Sequence, residues 1–203
     1  LKNYHATWRQ PLTTQYKNHQ IISMPPASSG GVALIQLLKM VEPFPMDKWG
    51  FHNPKSIHVM VEAERRVYAD RAKHLGDMDH YPVPVERLIS DQYIDSRRAE
   101  IKMERATSSD EILAGEFIDS ESEETTHFSV IDDQGNAVSV TTTINTGYGC
   151  KTVVGGAGFL LNNEMDDFSI KPGVPNVFGL IGGDANAIAG GKRMLSSMTP
   201  TII

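Results

Sequence analysis

Two strand-like runs separated by a short turn restrict the fold of this sequence more than any other feature. The runs are THFSVID (126–132) and AVSVTTTI (137–144), both rich in Val, Thr and Ile, and the four residues between them are DQGN. Alternating β-branched residues around a Gly-containing polar turn are typical of a β-hairpin. The sequence therefore predicts a hairpin over these residues.

The expected register of the hairpin has a chemical consequence. If Asp132 pairs near Ala137, Thr125 and Thr126 lie opposite residues 143–145, which are Thr, Ile and Asn. A register error of one residue leaves the same groups close together. We therefore expect hydroxyl groups and a carboxamide to meet at the open end of the hairpin.

Composition limits the class of protein. Of the 203 residues, 40% are hydrophobic and 22% are charged, which is ordinary for a globular domain. The net charge of -6, without a cluster of Lys and Arg, argues against a nucleic-acid partner and favours a small substrate. Cys150 is the only cysteine, which excludes an intramolecular disulfide and a cysteine-based metal cluster.

The two ends of the chain lead us to expect a piece of a longer protein. The first residues, LKNYHATWRQ, do not form a signal peptide, and the last, TPTII, are an unfinished apolar run. The apolar run at 31–38 is far shorter than the ~20 residues needed to cross a bilayer.

Helix signals precede the hairpin. The segment VALIQLLKMV (32–41) is apolar on nearly all sides and follows Pro, Ser and Gly residues, which predicts a buried helix capped by Ser28 or Ser29. A second helix is bounded by an Asn-Pro pair at 53–54 and by Gly76. We interpret both helices as scaffold.

The second helix carries an expected apolar face and a pair with metal-ligand spacing. That face comprises Ile57, Met60, Val61, Val67, Tyr68, Ala72 and Leu75. His58 and Glu62 are four residues apart, but no third ligand accompanies them, so we interpret them as a polar flank. A third helix is expected from residue 84 or 85 to about residue 103.

Polar segments follow the helices and the hairpin. Residues 104–124 are acidic and Ser-rich without periodicity, which predicts an exposed linker. A short apolar run, expected to be a buried strand, precedes a cluster of polar residues: Asn162, Asn163, Glu164, Asp166 and Asp167. The cluster does not match a calcium loop, and carboxylates are natural partners of an ammonium group. The Gly- and Pro-rich stretch 171–189 is expected to be a long loop.

Thr125 lies where the expected linker meets the hairpin, and this position leads to the hypothesis that its hydroxyl is a nucleophile. A hydroxyl without a neighbouring base is a poor nucleophile. If the chain were cut before Thr125, the new α-amino group, with a pKa of about 8, could accept the hydroxyl proton at neutral pH. Adjacent threonines at a strand start are also ordinary β-propensity, and Ser196 and Ser197 could be turn residues, so the pattern alone leaves both interpretations open.

Several long motifs resemble the γ-glutamyltranspeptidase family of N-terminal-nucleophile hydrolases. The matching stretches are TTHFSVIDDQGNAVSVTTTIN, LLNNEMDDFSIKPGVPN, GLIGGDANAIAGGKRMLSSMTPTI and, upstream, SMPPASSGG. The resemblance covers essentially all 203 residues. It implies an α/β (α+β) fold, the four-layer αββα sandwich, of which this chain would supply the central part. Residues 1–124 would end the large subunit and residues 125–203 would begin the small subunit.

The resemblance also implies catalytic roles. Thr125 would attack the carbonyl of Glu124 to split the precursor, and would then attack the γ-glutamyl amide of substrates such as glutathione. The acyl group would pass to water or to an amino acid or peptide acceptor. Thr143 would hydrogen-bond the new α-amino group or the nucleophile.

Substrate-binding roles follow in the same way. Asn145, Glu164 and Asp167 resemble the residues that hold the α-amino and α-carboxylate groups of the γ-glutamyl moiety, with Asp167 paired to the ammonium. Ser196 and Ser197 would help to hold the carboxylate. No metal or cofactor is implied, and the partners would be the two subunits of one precursor.

Other expected parts are only partly contained in this chain. The lid would span 172–178, where Phe178 replaces the Tyr of many bacterial relatives. The family's carboxylate-binding arginine would precede residue 1, and its oxyanion-hole glycines would follow Ile203. Because an oxyanion donor lowers the barrier by ~3 kcal/mol, the segment alone is expected to be a poor catalyst. Relatives usually act outside the cytoplasm, so a periplasmic or extracellular location is expected.

Two further interpretations stay open. One is a related amidohydrolase that acts on acylated β-lactams or on poly-γ-glutamate. The other is a catalytically incompetent segment that binds or supports without turnover.

Overall fold

The computed structural model describes residues 3–112, 125–176, 179 and 181–203. Its strands and helices, in chain order, are β1 (Leu12–Tyr16), β2 (His19–Ser23), α1 (Gly30–Val41), α2 (Met46–Trp49), α3 (Pro54–His74), α4 (Val85–Leu88), α5 (Asp91–Ala99), β3 (Thr126–Ile131), β4 (Ala137–Thr142) and β5 (Thr201–Ile202). Short 3-10 turns occur at Ser109–Glu111, Glu164–Asp167 and Asp184–Asn186.

The strands form two antiparallel sheets. One has the order β1-β2-β5, and the other is the β3-β4 hairpin. The β2–β5 pair joins the two ends of the chain, with Ser23 opposite Thr201. The β1–β2 hairpin was missed by sequence analysis, because most of its residues are polar and lack an apolar alternation that would have predicted strands.

Helix α1 is buried, as predicted. Each of its residues is buried or partly buried. Ser29 is the N-cap residue, but the hydroxyl that accepts the Gly30 N–H is that of Ser28, at 3.2 Å. The helix start packs so closely that a Cβ at Gly30 would collide with the side chain of Thr199. The glycine at this position is therefore a packing requirement.

Helix α3 begins as predicted but turns a different face to the interior. The Asn53 side chain caps it by accepting the Lys55 N–H at 2.9 Å. Ile57, Met60 and Val61 lie on the predicted apolar face, yet they are 48%, 48% and 45% exposed. The buried face includes three charged residues among its members, which are Ser56, Val59, Glu62, Ala63, Arg66, Val67, Ala69 and Asp70. The prediction is wrong for the first half of the helix.

Ion pairing explains why charges can lie on the buried face of α3. Arg66 donates to Glu62 at 2.7 Å, and Thr107 donates to the same carboxylate through its N–H at 3.1 Å and its hydroxyl at 2.5 Å. Burial acts to raise the pKa of Glu62, but the Thr107 and Arg66 contacts outweigh it and hold the pKa below its ordinary value. Glu62 thus connects helix α3 to Thr107, in the segment that follows α5.

The expected third helix is two helices. It is interrupted at Ser90, whose hydroxyl accepts the Tyr93 N–H at 3.3 Å and starts α5, and α5 ends at Ala99 rather than near 103. Two apolar clusters hold these helices against α1 and α3. They are Val32, Leu75, Leu88 and Leu195, and Met40, Ala63, Val67 and Ile94.

The hairpin is confirmed, with a register one residue different from the expectation. Ile131, rather than Asp132, pairs with Ala137. Asp132 belongs to the turn, where its carboxylate accepts the N–H groups of Gln134 at 3.0 Å and Asn136 at 2.8 Å. This side-chain turn competes with strand pairing for the residue.

The segment after the hairpin is less regular than predicted. The apolar run before the acidic cluster is not a buried strand, since Phe159 is 56% exposed and Leu161 is 42% exposed. Only an isolated bridge joins Val153 to Leu160. The expected loop at 171–189 is confirmed over its described residues, apart from the turn at Asp184–Asn186. Within the described part of the chain, no helix combines the length and apolarity required to traverse a bilayer.

The Glu62 network yields a stability prediction. Replacing Glu62 with Gln in the full-length protein would remove the closest counter-charge of the buried Arg66 and leave it the half-exposed Glu100 carboxylate at 3.3 Å, so we expect a loss of about 3 kcal/mol in the free energy of unfolding. Urea denaturation followed by circular dichroism measures this loss. Glu86→Gln, at an exposed position on α4, is the control and should change stability by less than about 0.5 kcal/mol. Equal effects of the two substitutions would contradict the anchoring role.

Candidate active site

A cavity of about 530 Å³ lies between the start of α1, the C-terminal half of α3, the open end of the hairpin and the segment before β5. Most of the site residues expected from the sequence line it: Thr125, Thr143, Asn145, Asp167, Ser196 and Ser197. Glu164 does not line the cavity but starts the turn that carries Asp167.

The open end of the hairpin brings two threonines together. Thr126 pairs with Thr142, so the next residues along the two strands, Thr125 and Thr143, are neighbours at the cavity. The Thr143 hydroxyl accepts the N–H of Asn145 at 2.9 Å. This bond fixes the hydroxyl at the point where the chain leaves the strand.

His127 is a cavity residue that sequence analysis did not select. Residues two apart on a strand share a face, which puts His127 on the same side as Thr125. Its Nδ1 lies 2.8 Å from the Thr141 hydroxyl on the opposite strand. The alternation of the predicted strand was the signal that could have identified it.

Asn145 connects the hairpin to the acidic turn. It is 7% exposed and has a positive φ of 78°, a backbone region that Asn tolerates better than most residues. Its side chain donates to the Asn163 carbonyl at 3.2 Å, and the Asn163 side chain accepts the Thr146 N–H at 3.2 Å. These bonds hold the start of the Glu164–Asp167 turn against the hairpin.

Asp167 is the acidic group of the cavity. Burial raises its pKa to about 6, repulsion from Glu164 and Asp166 adds to the rise, and attraction by Arg71 opposes it. Burial also raises the pKa of Glu164. The backbone carbonyl of Asp167 accepts a hydrogen bond from the Asn186 side chain at 2.6 Å. A cationic ligand would relieve this crowding of carboxylates.

Ser196 and Ser197 form a second wall of the cavity. The carbonyl of Ser196 accepts the Ser29 N–H at 2.7 Å, and the Ser196 N–H donates to the Ala27 carbonyl at 3.0 Å. The hydroxyl of Ser196 accepts the Met198 N–H at 3.1 Å. The two serines are therefore held beside the start of α1.

Arg71 on α3 completes this wall, and sequence analysis missed it. Its Nε donates to the Ser29 hydroxyl at 2.9 Å and a terminal nitrogen donates to the Ser197 hydroxyl at 3.0 Å. Loss of hydration lowers its pKa to about 10, with Asp167 acting in the opposite direction, so Arg71 stays cationic at neutral pH. An arginine within the apolar face expected for the second helix was the available signal.

Some expectations are not tested by the described residues. Glu124, the expected cleavage position, and Phe178, in the expected lid, lie outside them. His58 lies against the Lys102 carbonyl at 2.9 Å, and the described residues contain no cluster of His, Cys, Asp and Glu that could hold a metal ion.

The cavity thus has two chemically different walls next to a hydroxyl. One wall carries the Asp167 carboxylate, and the other carries two serine hydroxyls and a guanidinium. A small zwitterion could place its ammonium at the first wall and its carboxylate at the second. Thr125 lines the same cavity and supplies a hydroxyl that could attack a carbonyl attached to that zwitterion.

Comparisons with known proteins identify a family model and relatives that the chain matches. The profile described as Gamma-glutamyltranspeptidase matches residues 1–203. The glutathione hydrolase proenzyme of Escherichia coli is 49% identical over 203 residues, which are 100% of this chain and 35% of that protein. The acylase ACY 1 proenzyme of Pseudomonas sp. strain SE83 is 39% identical over 200 residues, covering 98% of this chain and 33% of that protein.

The same comparison extends to solved structures. The cephalosporin acylase of Bacillus halodurans superposes with a TM-score of 0.73 at 24% identity, over 98% of this chain and 33% of that chain. This likeness confirms the expected α/β fold class and its partial character. The chain spans about a third of the length of the curated relatives that it matches.

The pKa of Asp167 can be measured directly. In the full-length protein labelled with ¹³C-aspartate, we expect the Asp167 carboxyl signal, assigned by its absence in Asp167→Asn, to titrate at about pH 6. Asp132 is the control, because hydrogen bonds from Asn136 and Gln134 hold its pKa below the ordinary value. Titration of both groups at the same ordinary pH would contradict the crowding described for Asp167.

Proposed function

The chain belongs to the γ-glutamyltranspeptidase family, and on that premise we propose that it is the central part of a self-processing γ-glutamyl transferase and hydrolase. Its donors would be glutathione and related γ-glutamyl amides, and its acceptors water, amino acids or peptides. The observation that carries the proposal is the convergence of Thr125, Thr143, Asn145, Asp167 and Ser197 on one cavity.

Thr125 is the proposed nucleophile in two steps. In the precursor its hydroxyl oxygen attacks the Glu124 carbonyl, the peptide C–N bond breaks, and hydrolysis of the resulting ester leaves Thr125 with a free α-amino group. In turnover that amine accepts the hydroxyl proton while the oxygen attacks the γ-glutamyl carbonyl. The proton passes to the leaving amine, and water or an acceptor amine then releases the acyl group. The position of Thr143 beside Thr125 supports a hydrogen bond to the amine or the nucleophile.

The two walls suit the two charged groups of a γ-glutamyl donor. Asp167 would pair with the α-ammonium, with Asn145 and Glu164 supporting that end, and Ser196 and Ser197 would donate to the α-carboxylate. Since Asp167 must be ionised to pair, donor binding should strengthen as the pH rises through about 6, the pKa of that carboxyl.

The remaining partners and the location follow from the same proposal. Residues 1–124 and 125–203 would belong to the large and small subunits of one precursor, and contacts such as β2–β5 and Ser29–Ser196 join the described residues of both. Relatives that bear the word proenzyme support a cleaved precursor. We propose a periplasmic or extracellular location.

An acylase of the same fold is the second candidate. It is favoured by the 39% identity to acylase ACY 1, and its substrates would be acylated β-lactams; poly-γ-glutamate is a further possible substrate. The carboxylate-lined wall at Asp167 argues for a donor with a free ammonium instead. A catalytically incompetent segment is the third alternative, and turnover by the full-length protein would exclude it for the whole protein.

Cleavage of the precursor tests the role of Thr125. Denaturing mass spectrometry of the full-length product should show a break between Glu124 and Thr125, and Thr125→Ala should abolish that break because the attacking oxygen is removed. Thr126→Ala is the matched control, since Thr126 is a strand residue paired with Thr142, and it should retain at least some cleavage. Equal effects of the two substitutions would refute the assignment.

Substrate preference tests the role of Asp167. The full-length protein should cleave γ-glutamyl-p-nitroanilide in preference to glutaryl-p-nitroanilide, which lacks the α-amino group. Asp167→Asn should lower kcat/KM for the γ-glutamyl compound by at least about thirtyfold, or about 2 kcal/mol, and change the glutaryl reaction by less than about threefold. A wild-type preference for the glutaryl compound would favour the acylase and reject the amine-binding role.

A further inference from the structure

Arg71 contacts the hydroxyls of two serines that lie far apart in the sequence. Ser29 lies at the start of α1 and Ser197 lies just before β5, and Arg71 reaches both from α3. The resemblance described above places the family's carboxylate-binding arginine before residue 1, so Arg71 is a different residue.

The direction of these hydrogen bonds is fixed by chemistry. A guanidinium has only N–H donors, so each serine oxygen must accept from Arg71. The Ser29 hydroxyl donates a hydrogen bond to the Ser196 carbonyl at 2.9 Å. Ser197 is exposed at the cavity, and among the described residues its hydroxyl accepts from Arg71 but does not donate.

Ser196 is oriented in a comparable way. Its hydroxyl oxygen accepts the Met198 N–H at 3.1 Å, so its hydrogen can be donated to a different group. The oxygens of these two neighbouring hydroxyls each accept an N–H group, so both hydroxyls can donate their hydrogens to a ligand. Such a pair is suited to a carboxylate, which has only acceptors when ionised.

We propose that Arg71 is a positioning residue, which orients the Ser197 hydroxyl as a donor to the α-carboxylate of the γ-glutamyl donor. This inference rests on the proposed function for the identity of the ligand. The cation also makes the oxygen of Ser197 a poorer acceptor and its hydrogen a better donor, because a charge-assisted bond polarises the hydroxyl. Arg71 acts through Ser197 and does not contact the reacting carbonyl.

The test compares two ligands that differ in the α-carboxylate. L-glutamate has an ammonium, an α-carboxylate and a γ-carboxylate, whereas 4-aminobutyrate lacks the α-carboxylate. In the full-length protein, Arg71→Gln should weaken L-glutamate binding, measured by calorimetry, by at least about tenfold, the effect of one charge-assisted hydrogen bond. At a pH well above the pKa of Asp167, where loss of Arg71 does not change the charge of that carboxyl, binding of 4-aminobutyrate should change by less than about twofold. Equal weakening of both ligands would overturn the proposal.

Arg65→Gln is the matched control for a purely structural effect. Arg65 lies on the same helix and donates to the Thr107 carbonyl at 2.8 Å and to Ser109 at 3.0 Å, outside the cavity lining. It should leave L-glutamate binding unchanged. If Arg71→Gln does not fold, Arg71→Lys replaces it, because one ammonium keeps the charge but cannot reproduce the two-nitrogen bridge. An L-glutamate affinity in Arg71→Lys equal to that of the wild type would contradict the proposal.

Kinetics separate this inference from the proposed function. Arg71→Gln should raise KM for γ-glutamyl-p-nitroanilide about tenfold with kcat within about threefold, and in a Ser197→Ala background it should add less than about threefold. Turnover with an unchanged KM would refute the role of Arg71 alone. Arg71-dependent binding of L-glutamate without any γ-glutamyl turnover would refute the proposed function and support the inference.

Discussion

The backbone pairing between the turn before α1 and the segment before β5 is the contact on which the cavity depends. Ser29 donates to Ser196 and Ser196 donates to Ala27, across more than 160 residues of chain. Each such bond adds only about 1 kcal/mol to stability. These bonds matter because they hold the start of α1 and the serine pair next to each other at the cavity, where Arg71 contacts both. The β2–β5 pairing extends the same junction between distant parts of the chain.

Burial removes hydration from the two charged side chains of the cavity walls, Asp167 and Arg71. Asp167 is crowded by other carboxylates, and Arg71 is the cation that partly offsets this crowding. A protein that only required stability would be expected to avoid a carboxyl group with a raised pKa. By contrast, Glu62 has the opposite shift because its neighbours are donors. The opposite directions of the two shifts reflect different surroundings: burial among other carboxylates for Asp167, and several hydrogen-bond donors for Glu62.

Local signals in the sequence were sufficient for parts of the fold. The cap at Asn53 and the turn at Asp132 depend on residues within four positions, so the helix start and the hairpin could be predicted. The inward face of α3 could not, because the Glu62 carboxylate is satisfied in part by Thr107, 45 residues away in the sequence. The role of Arg71 could not be predicted for the same reason, because its partner Ser197 lies 126 residues away in the sequence. The resemblance to a family identified residues that the pattern alone left open, such as Ser196 and Ser197.

The close approach of Gly30 and Thr199 has a consequence for the history of the sequence. A side chain at position 30 has no room while Thr199 keeps its present place. The residue allowed at position 30 therefore depends on position 199, although the two lie on opposite sides of the proposed cleavage. A side chain at position 30 would be tolerated only with a compensating change near Thr199, so this contact couples the sequences of the two proposed subunits at a point that takes no part in the chemistry.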